Sequence, residues 1–397
     1  MFLKFKKLKI KRIVPISTIL FCLNIFLQKI KLQYVFLALK IISSHLRYHY
    51  RNVKRFMSKK QLFLVIIFYS SISFSQIGGK STYQFLNLIN SPRQAALGGK
   101  IITIYDYDVN QANFNPATIN PEMDNRLSLN YGSYFGEVSY GTASYAYTYD
   151  RHVQTFQAGV NYVNYGNIDG YDELGNPTAS FTGSEIALSL GYAYNVPFTD
   201  LHLGASAKLI SSTLESYQSY GGALDLGAIY IDEKNDINYA FVIRNLGTQF
   251  KAYNEINEKL PLEIIAGISQ ELENVPVRWH LTLENLQQWN LAFSNPNRAQ
   301  GTLDGQVIEE EVSFLNNALR HVILGAELMP KKGFNIRLGY NFRRAQELKL
   351  EEQRSFSGIS VGFGLKMGKL KFDYSHSRYT LAGNTSLFGL SINFAEQ

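Results

Sequence analysis

Between residue 126 and residue 394, apolar and polar side chains alternate with a period of two, in runs of about 9–11 residues broken by turn formers. That period marks a strand with one apolar face. Runs of this length suit strands that cross a membrane, and many in series describe a transmembrane barrel. Fourteen fall at 126–135, 138–149, 154–164, 184–194, 201–212, 222–231, 237–246, 262–270, 275–284, 319–328, 334–343, 356–366, 369–378 and 385–394. An even number brings both ends of a barrel to one side of the membrane.

The clearest runs assign the faces. In 275–284, Val275, Val277, Trp279, Leu281 and Leu283 oppose Arg278, His280, Thr282 and Glu284. In 334–343, Phe334, Ile336, Leu338, Tyr340 and Phe342 oppose Asn335, Arg337, Asn341 and Arg343. An Arg turned to lipid at mid-membrane costs roughly 2–4 kcal/mol. Arg278 and Arg337 are therefore expected to face the lumen, with His280 and Glu284 beside Arg278. A soluble sandwich also alternates, but here the apolar faces are rich in Tyr, Phe and Trp, and the opposite faces are small or charged.

The last run carries the closure. Phe388, Leu390, Ile392 and Phe394 share one face, Gly389, Ser391 and Asn393 the other, and Leu387 is an apolar exception on the second. Such a strand needs a partner on both edges, and a closed barrel supplies one by pairing the last run with the first. Phe394 is expected to act as the aromatic end-signal for the barrel-assembly machinery, although Ala395-Glu396-Gln397 follow it.

Residues 77–125 lack the alternation. Ser91 can cap a short helix with Pro92 in its first turn and Gly98 at its end. Asn113-Phe114-Asn115-Pro116-Ala117 forms turns. The expected architecture is an all-β transmembrane antiparallel barrel of about 14 strands over 126–397, with 77–125 as a short plug-like segment in or across one mouth. Short links such as Gly136-Glu137, Asp150-Arg151 and Met367-Gly368 suit periplasmic turns. Longer ones at 165–183, 213–221, 247–261, 285–318 and 344–355 are expected outside. The longest holds Gln287-Gln288-Trp289 and Glu309-Glu310-Glu311; it is the expected partner-contact loop, although an acidic run by itself reads as solvated surface.

Charge first suggests something else. The 397 residues carry a formal +7, as a nucleic-acid binder might. Residues 1–75, however, hold 15 Lys or Arg and no Asp or Glu, leaving 24 basic and 32 acidic residues in the body. An acidic body argues against nucleic acid as a partner. Met57 to Gln76 reads as a secretion signal, with Lys59 and Lys60, an apolar run over Leu62–Tyr69, and small residues before a cleavage point near Gln76. Residues 1–56 are either a membrane-anchored extension or the product of a start placed upstream of Met57. The intact signal after an internal methionine favours the second. The only cysteine, Cys22, precedes the signal, so the body has neither a disulfide nor a thiol nucleophile.

Chemistry is sparse. The body histidines, His152, His202, His280, His321 and His376, show no metal-ligand spacing. No nucleophile elbow or phosphate loop occurs. Arg278, His280 and Glu284 share a lumen face, where solvation and packing account for them better than catalysis. Gly221-Gly222 and Gly362-x-Gly364 make room for bulges or large neighbours. No enzyme, metal or cofactor is expected.

Ser91-Pro92-Arg93-Gln94-Ala95-Ala96-Leu97-Gly98-Gly99 and Asn115-Pro116-Ala117 together resemble the N-terminal signature of the PorV/PorQ family of type IX secretion outer-membrane proteins. Ser81 to Leu86 and Asn285-Leu286-Gln287-Gln288-Trp289 are most similar to the PorQ branch. The resemblance covers about 77–394 and makes Arg93, Gly98, Gly99, Asn115, Pro116 and Ala117 structural motif residues. It implies a fourteen-stranded barrel shaped like the fatty-acid transporters, without enzymatic activity. It further implies an attachment complex with PorZ-like, PorU-like and PorV-like partners, which joins cargo to anionic lipopolysaccharide and in which this chain anchors the PorZ-like surface protein. The Asn-Pro-Ala element also occurs in fatty-acid-transport-like barrels, so a channel for hydrophobic solutes is the alternative.

Overall fold

The computed structural model describes residues 81–134, 137–150, 154–292, 300–301, 307–308, 313–348, 357–378 and 384–394. The extension, the secretion signal, the cleavage point near Gln76, His152 and the acidic run 309–311 lie outside these residues.

Fourteen antiparallel strands close a barrel. They are β1 (Arg126–Ser133), β2 (Ser139–Asp150), β3 (Gln154–Ile168), β4 (Phe181–Asn195), β5 (Leu201–Leu214), β6 (Tyr217–Asp232), β7 (Ile237–Lys251), β8 (Glu263–Glu271) and β9 (Val277–Leu283), then β12 (Val322–Leu328), β13 (Phe334–Asn341), β14 (Ile359–Met367), β15 (Leu370–Arg378) and β16 (Asn384–Asn393). The two-residue strands β10 (Gln300–Gly301) and β11 (Val307–Ile308) pair with each other and, among the described residues, stand apart from the barrel sheet. β16 closes the ring against β1, from Arg126↔Asn393 to Ser133↔Ser386. Closure leaves no edge, which the hydrocarbon layer requires. Among the described residues no helix is long and apolar enough to cross a membrane.

The faces follow the alternation. Leu129, Tyr131, Leu188, Leu190, Phe241, Phe388 and Leu390 point outward and are exposed, while Arg337, His280 and Glu327 point inward and are buried.

Several boundaries depart from the expected ones. Successive links alternate between the two ends of the barrel, so the 134–138 link cannot share an end with 151–153 and 368–369. It lies at the end of the long loops. The 213–221 loop is instead a two-residue turn between Leu214 and Tyr217, and β3, β4 and β7 run on to Ile168, from Phe181 and to Lys251. Beyond the lipid both faces of a strand meet water, so the alternation that marks it fades while backbone pairing continues. Conversely, Phe342 and Arg343 leave the sheet for a helix, Phe342–Glu347, whose first turn is capped by Asn341 accepting from Arg344 N. Val275 and Glu284 fall just outside β9. With short turns taken as periplasmic, the 134–138, 169–180, 252–262 and 284–321 links are external.

Residues 81–125 run the length of the lumen rather than covering one mouth. Thr82 N donates to Lys259 O in the external 252–262 loop at 3.0 Å. At the other end Asn125 N donates to Ala146 O at 2.9 Å, just before β1 begins. Between them lie a helix, Pro92–Ala96, and four short 3-10 turns.

Candidate functional site

The candidate site is the interface between the 81–125 segment and the inner wall. It starts at the Pro92–Ala96 helix. Ser91 takes the cap position through its backbone, with no side-chain cap hydrogen bond, and Gly98 ends the helix at φ 94°. That φ is left-handed and suits glycine. The wall is also cut back there. A Cβ on Gly339 would lie 2.1 Å from the backbone of Leu97 and Gly98, and Gly325, its cross-strand partner, faces Leu97 O. Gly99 packs on Ile323.

A second glycine pair, Gly204↔Gly227, receives Asn115-Pro116-Ala117. A Cβ on Gly204 would meet Pro116 and Ala117 backbone at 2.3 Å, and one on Gly227 would meet Asn115 Oδ1 at 2.1 Å. Asn115 organises its own turn: Oδ1 accepts from Ala117 N at 2.9 Å, and Nδ2 donates to Ile102 O at 2.9 Å. Both sequence-motif elements thus sit where paired glycines let the two backbones touch. Gly221 and Gly362 make room for side chains of the segment, the Tyr83 ring and the Ala96 methyl, and Gly222 makes room for the Phe250 ring.

Charge locks the segment in place. Arg93 donates from Nε and Nη2 to the two carboxylate oxygens of Glu327, each at 2.9 Å, and its Nη1 lies 2.8 Å from Asp106 and 3.4 Å from Asp108. Glu327 also accepts from Arg337 at 2.9 Å, and Arg337 reaches Asp373 at 2.6 Å. Arg278 bonds Glu271 at 2.9 Å and stands 3.7 Å from Glu327. A second lock pairs Lys100 with Glu263 at 2.6 Å, and Arg244 with the same carboxylate at 3.1 Å. Arg244 also donates to the backbone carbonyls of Leu86 and Asn113, while Lys208 pairs with Asp225 at 2.6 Å.

The four candidate lumen residues do not assemble into one unit. Arg278 and Arg337 meet at Glu327. His280 is buried, with Nδ1 3.3 Å from Thr103 Oγ1, and Glu284 is buried nearer the outer end. This arrangement fixes a segment in place, and among the described residues no three His, Cys, Asp or Glu side chains gather as a metal set. Glu327, Asp373, Glu263, Arg244, Lys208 and Asp225 were missed. Each is a charge at an inward position of its strand, so the parity argument that placed Arg278 and Arg337 could have found them.

The outer half of the lumen is apolar. Tyr140, Val163, Ala187, Ile210, Ala223 and Leu387 of the wall pack on Tyr83, Phe85 and Leu86 of the segment. Leu387, the exception in the last strand, belongs here. The external 252–262 loop folds over the cluster: Leu260 is buried in it, Tyr253 packs against it, and the Tyr253 hydroxyl donates to Ser212. Burial pushes that hydroxyl's pKa up to about 12. Phe394, by contrast, is exposed, and its backbone N donates to Asn125 O at 2.8 Å.

No protein-family model and no curated protein matches the chain. Among solved structures, the Ralstonia pickettii toluene transporter TbuX matches 78% of this chain and 99% of its own, at 15% identity and a TM-score of 0.47. The TodX monoaromatic hydrocarbon channel, as a deltaS2 mutant, matches over 78% and 100%, at 14% identity and a TM-score of 0.50. A Pseudomonas aeruginosa FadL homologue matches over 77% and 98%, at 9% identity and a TM-score of 0.44. At such identities the likeness is one of fold, that of an outer-membrane β-barrel.

Proposed function

We propose that the chain is a non-enzymatic outer-membrane barrel that admits an apolar solute to the outer half of its lumen. The observation that carries this reading is the apolar lining there. Barrel lumens are polar as a rule, yet Val163, Ile210 and Leu387 point inward into a buried cluster. The chain's own Tyr83, Phe85 and Leu86 give that wall the contact a hydrocarbon would give it. The fold shared with TodX, a monoaromatic hydrocarbon channel, supports the same reading. The test is equilibrium retention of radiolabelled toluene and of a long-chain alcohol by the purified barrel in detergent. Saturable binding is expected, with loss in Val163→Arg once heat-modifiable gel mobility shows that variant folded. Binding that never saturates, or that survives the substitution, overturns the reading.

A second reading is an anchor for a surface protein in the type IX attachment complex. It is supported by the signature residues around Arg93 and Asn115 and by one external feature. Trp289, Phe314 and Leu315 are 51%, 74% and 66% exposed. The Trp289 ring packs on Phe314 and stacks on His321. Asn317 holds the loop, its side chain accepting from Leu291 N and Ala292 N. An ordered apolar patch on an external loop suits a protein partner. Affinity purification from native membranes decides: recovery of PorZ-like, PorU-like and PorV-like proteins, lost in Trp289→Ala, supports anchoring, and a barrel recovered without them rejects it.

A further inference from the structure

At the periplasmic mouth, Tyr107 of the lumen segment is ringed by three cations. Arg126 Cζ lies 4.7 Å from the ring centroid, Lys366 Nζ 5.0 Å and Lys371 Nζ 5.3 Å. Lys369 lines the same cup, with Asp108, Gly368, Leu370, Ser391 and Ile392.

The compensation is uneven. Lys371 is answered by Asp373 at 3.3 Å. Asp108 is turned to Arg93 at 3.4 Å. Arg126 donates from Nε to the backbone carbonyl of Glu122 at 2.8 Å. Among the described residues, no carboxylate lies within 4.0 Å of Arg126, Lys366 or Lys369. Like charges so close repel, and an anion between them relieves the repulsion with charge-assisted hydrogen bonds. The ring face contributes attraction to the cations but no charge.

Position narrows the anion. The cup lies at the two-residue link Gly368-Lys369 between β14 and β15, and Gly368 adopts φ 58° there. Leu370 and Ile392 are cross-strand partners on the outward face, and both line the cup. Cationic groups of the lumen mouth and lipid-facing apolar groups therefore meet at one point of the rim. The enclosed space is about 10 Å³, room for a single water-sized group. A ligand must then stay mostly outside, with one oxygen inserted.

We propose that this cup binds the headgroup phosphate of a phospholipid in the periplasmic leaflet. Its acyl chains lie against Leu370 and Ile392, and a phosphate oxygen enters between Lys366, Lys369 and Arg126. The proposal is independent of what the outer lumen carries.

The test is native mass spectrometry of the full barrel in detergent with added phosphatidylglycerol, with diacylglycerol and inorganic phosphate as separate probes. One phosphatidylglycerol should be retained and diacylglycerol should not. Lys366→Ala with Lys369→Ala should weaken retention about thirtyfold, at the usual increment for two basic residues near a lipid surface. Both lysines are exposed, so the fold should hold, and Lys234→Ala at another periplasmic turn should change nothing. Equal retention by the double variant overturns the proposal, as does equal loss in Lys234→Ala. If inorganic phosphate binds at the cup while phosphatidylglycerol is not retained, the source is free phosphate and the lipid assignment fails.

Discussion

Arg93 shows how one side chain can hold a segment inside a barrel. It is 3% exposed and meets three carboxylates, two of them on its own segment and one, Glu327, on the wall. A buried pair of this kind need not add net stability, but removing one partner leaves uncompensated charge in a poorly solvated place. Arg93→Ala should therefore lower stability by about 3–5 kcal/mol, read from urea unfolding in detergent. It should also raise single-channel conductance in planar bilayers as the segment loosens. Arg93→Lys should fall between, because an ammonium cannot make the bidentate contact. Unchanged conductance in Arg93→Ala would mean the glycine contacts suffice. The arginine stands out in the sequence as part of a motif. Its partner does not: a pair separated by 234 residues leaves no local pattern, and only the barrel register brings Glu327 beneath it.

Among the elements, the cross-strand glycines set how closely the segment approaches the wall. Gly204→Ala places a methyl against Pro116 and Ala117 backbone, which cannot rotate away, so Asn115-Pro116-Ala117 must move. Overpacking of this kind costs about 1–3 kcal/mol. The barrel should still close, since β5 keeps its pairing. A cysteine placed at Ala117 should then label faster in the Gly204→Ala background than in the wild type. The external 169–180 loop offers a separate test. Asp172 Oδ1 accepts from Leu174 N and Asn176 N, and the Asn176 side chain bonds Oδ2. Those bonds, the Asn176 side chain first, hold its carboxyl below the usual range. A depressed carboxyl contributes its ordering above its unfolded pKa, about 3.9, and loses it as pH falls through the lower folded value. The loop should become protease-sensitive only below about pH 4, and Asp172→Ala should make it so at neutral pH.

At these two scales the sequence is legible to different depths. The strand interiors read correctly because lipid on one side and a polar lumen on the other impose the alternation. The strand tops of β3, β5 and β7 did not, because water on both faces imposes nothing. The lumen segment shows its helix stop at Gly98 and its turn at Asn115, both local. Its course from one mouth to the other depends on wall residues hundreds of positions away.

For the whole molecule, closure is the event on which every interior contact depends. Lumen locks such as Arg93–Glu327 and Lys100–Glu263 join the segment to β8 and β12, yet they are inside only once β16 has paired with β1. That pairing runs from Arg126↔Asn393 to Ser133↔Ser386. Phe394 follows it, exposed at 54%, and its amide adds one more bond to Asn125 O. Phe394→Ser keeps that amide and every pair of the register, so the closed barrel should be nearly as stable once formed. What it removes is an aromatic side chain at the end of the closing strand, outside the ladder, the group that we propose assembly machinery reads as its end-signal. The expected outcome is therefore a split result: a sharp fall in the amount of heat-modifiable barrel in outer membranes, but normal refolding of purified protein into detergent. Equal insertion in cells would show that the closing strand acts through its backbone alone. A matching loss in detergent would show that the ring contributes to the fold rather than to its assembly.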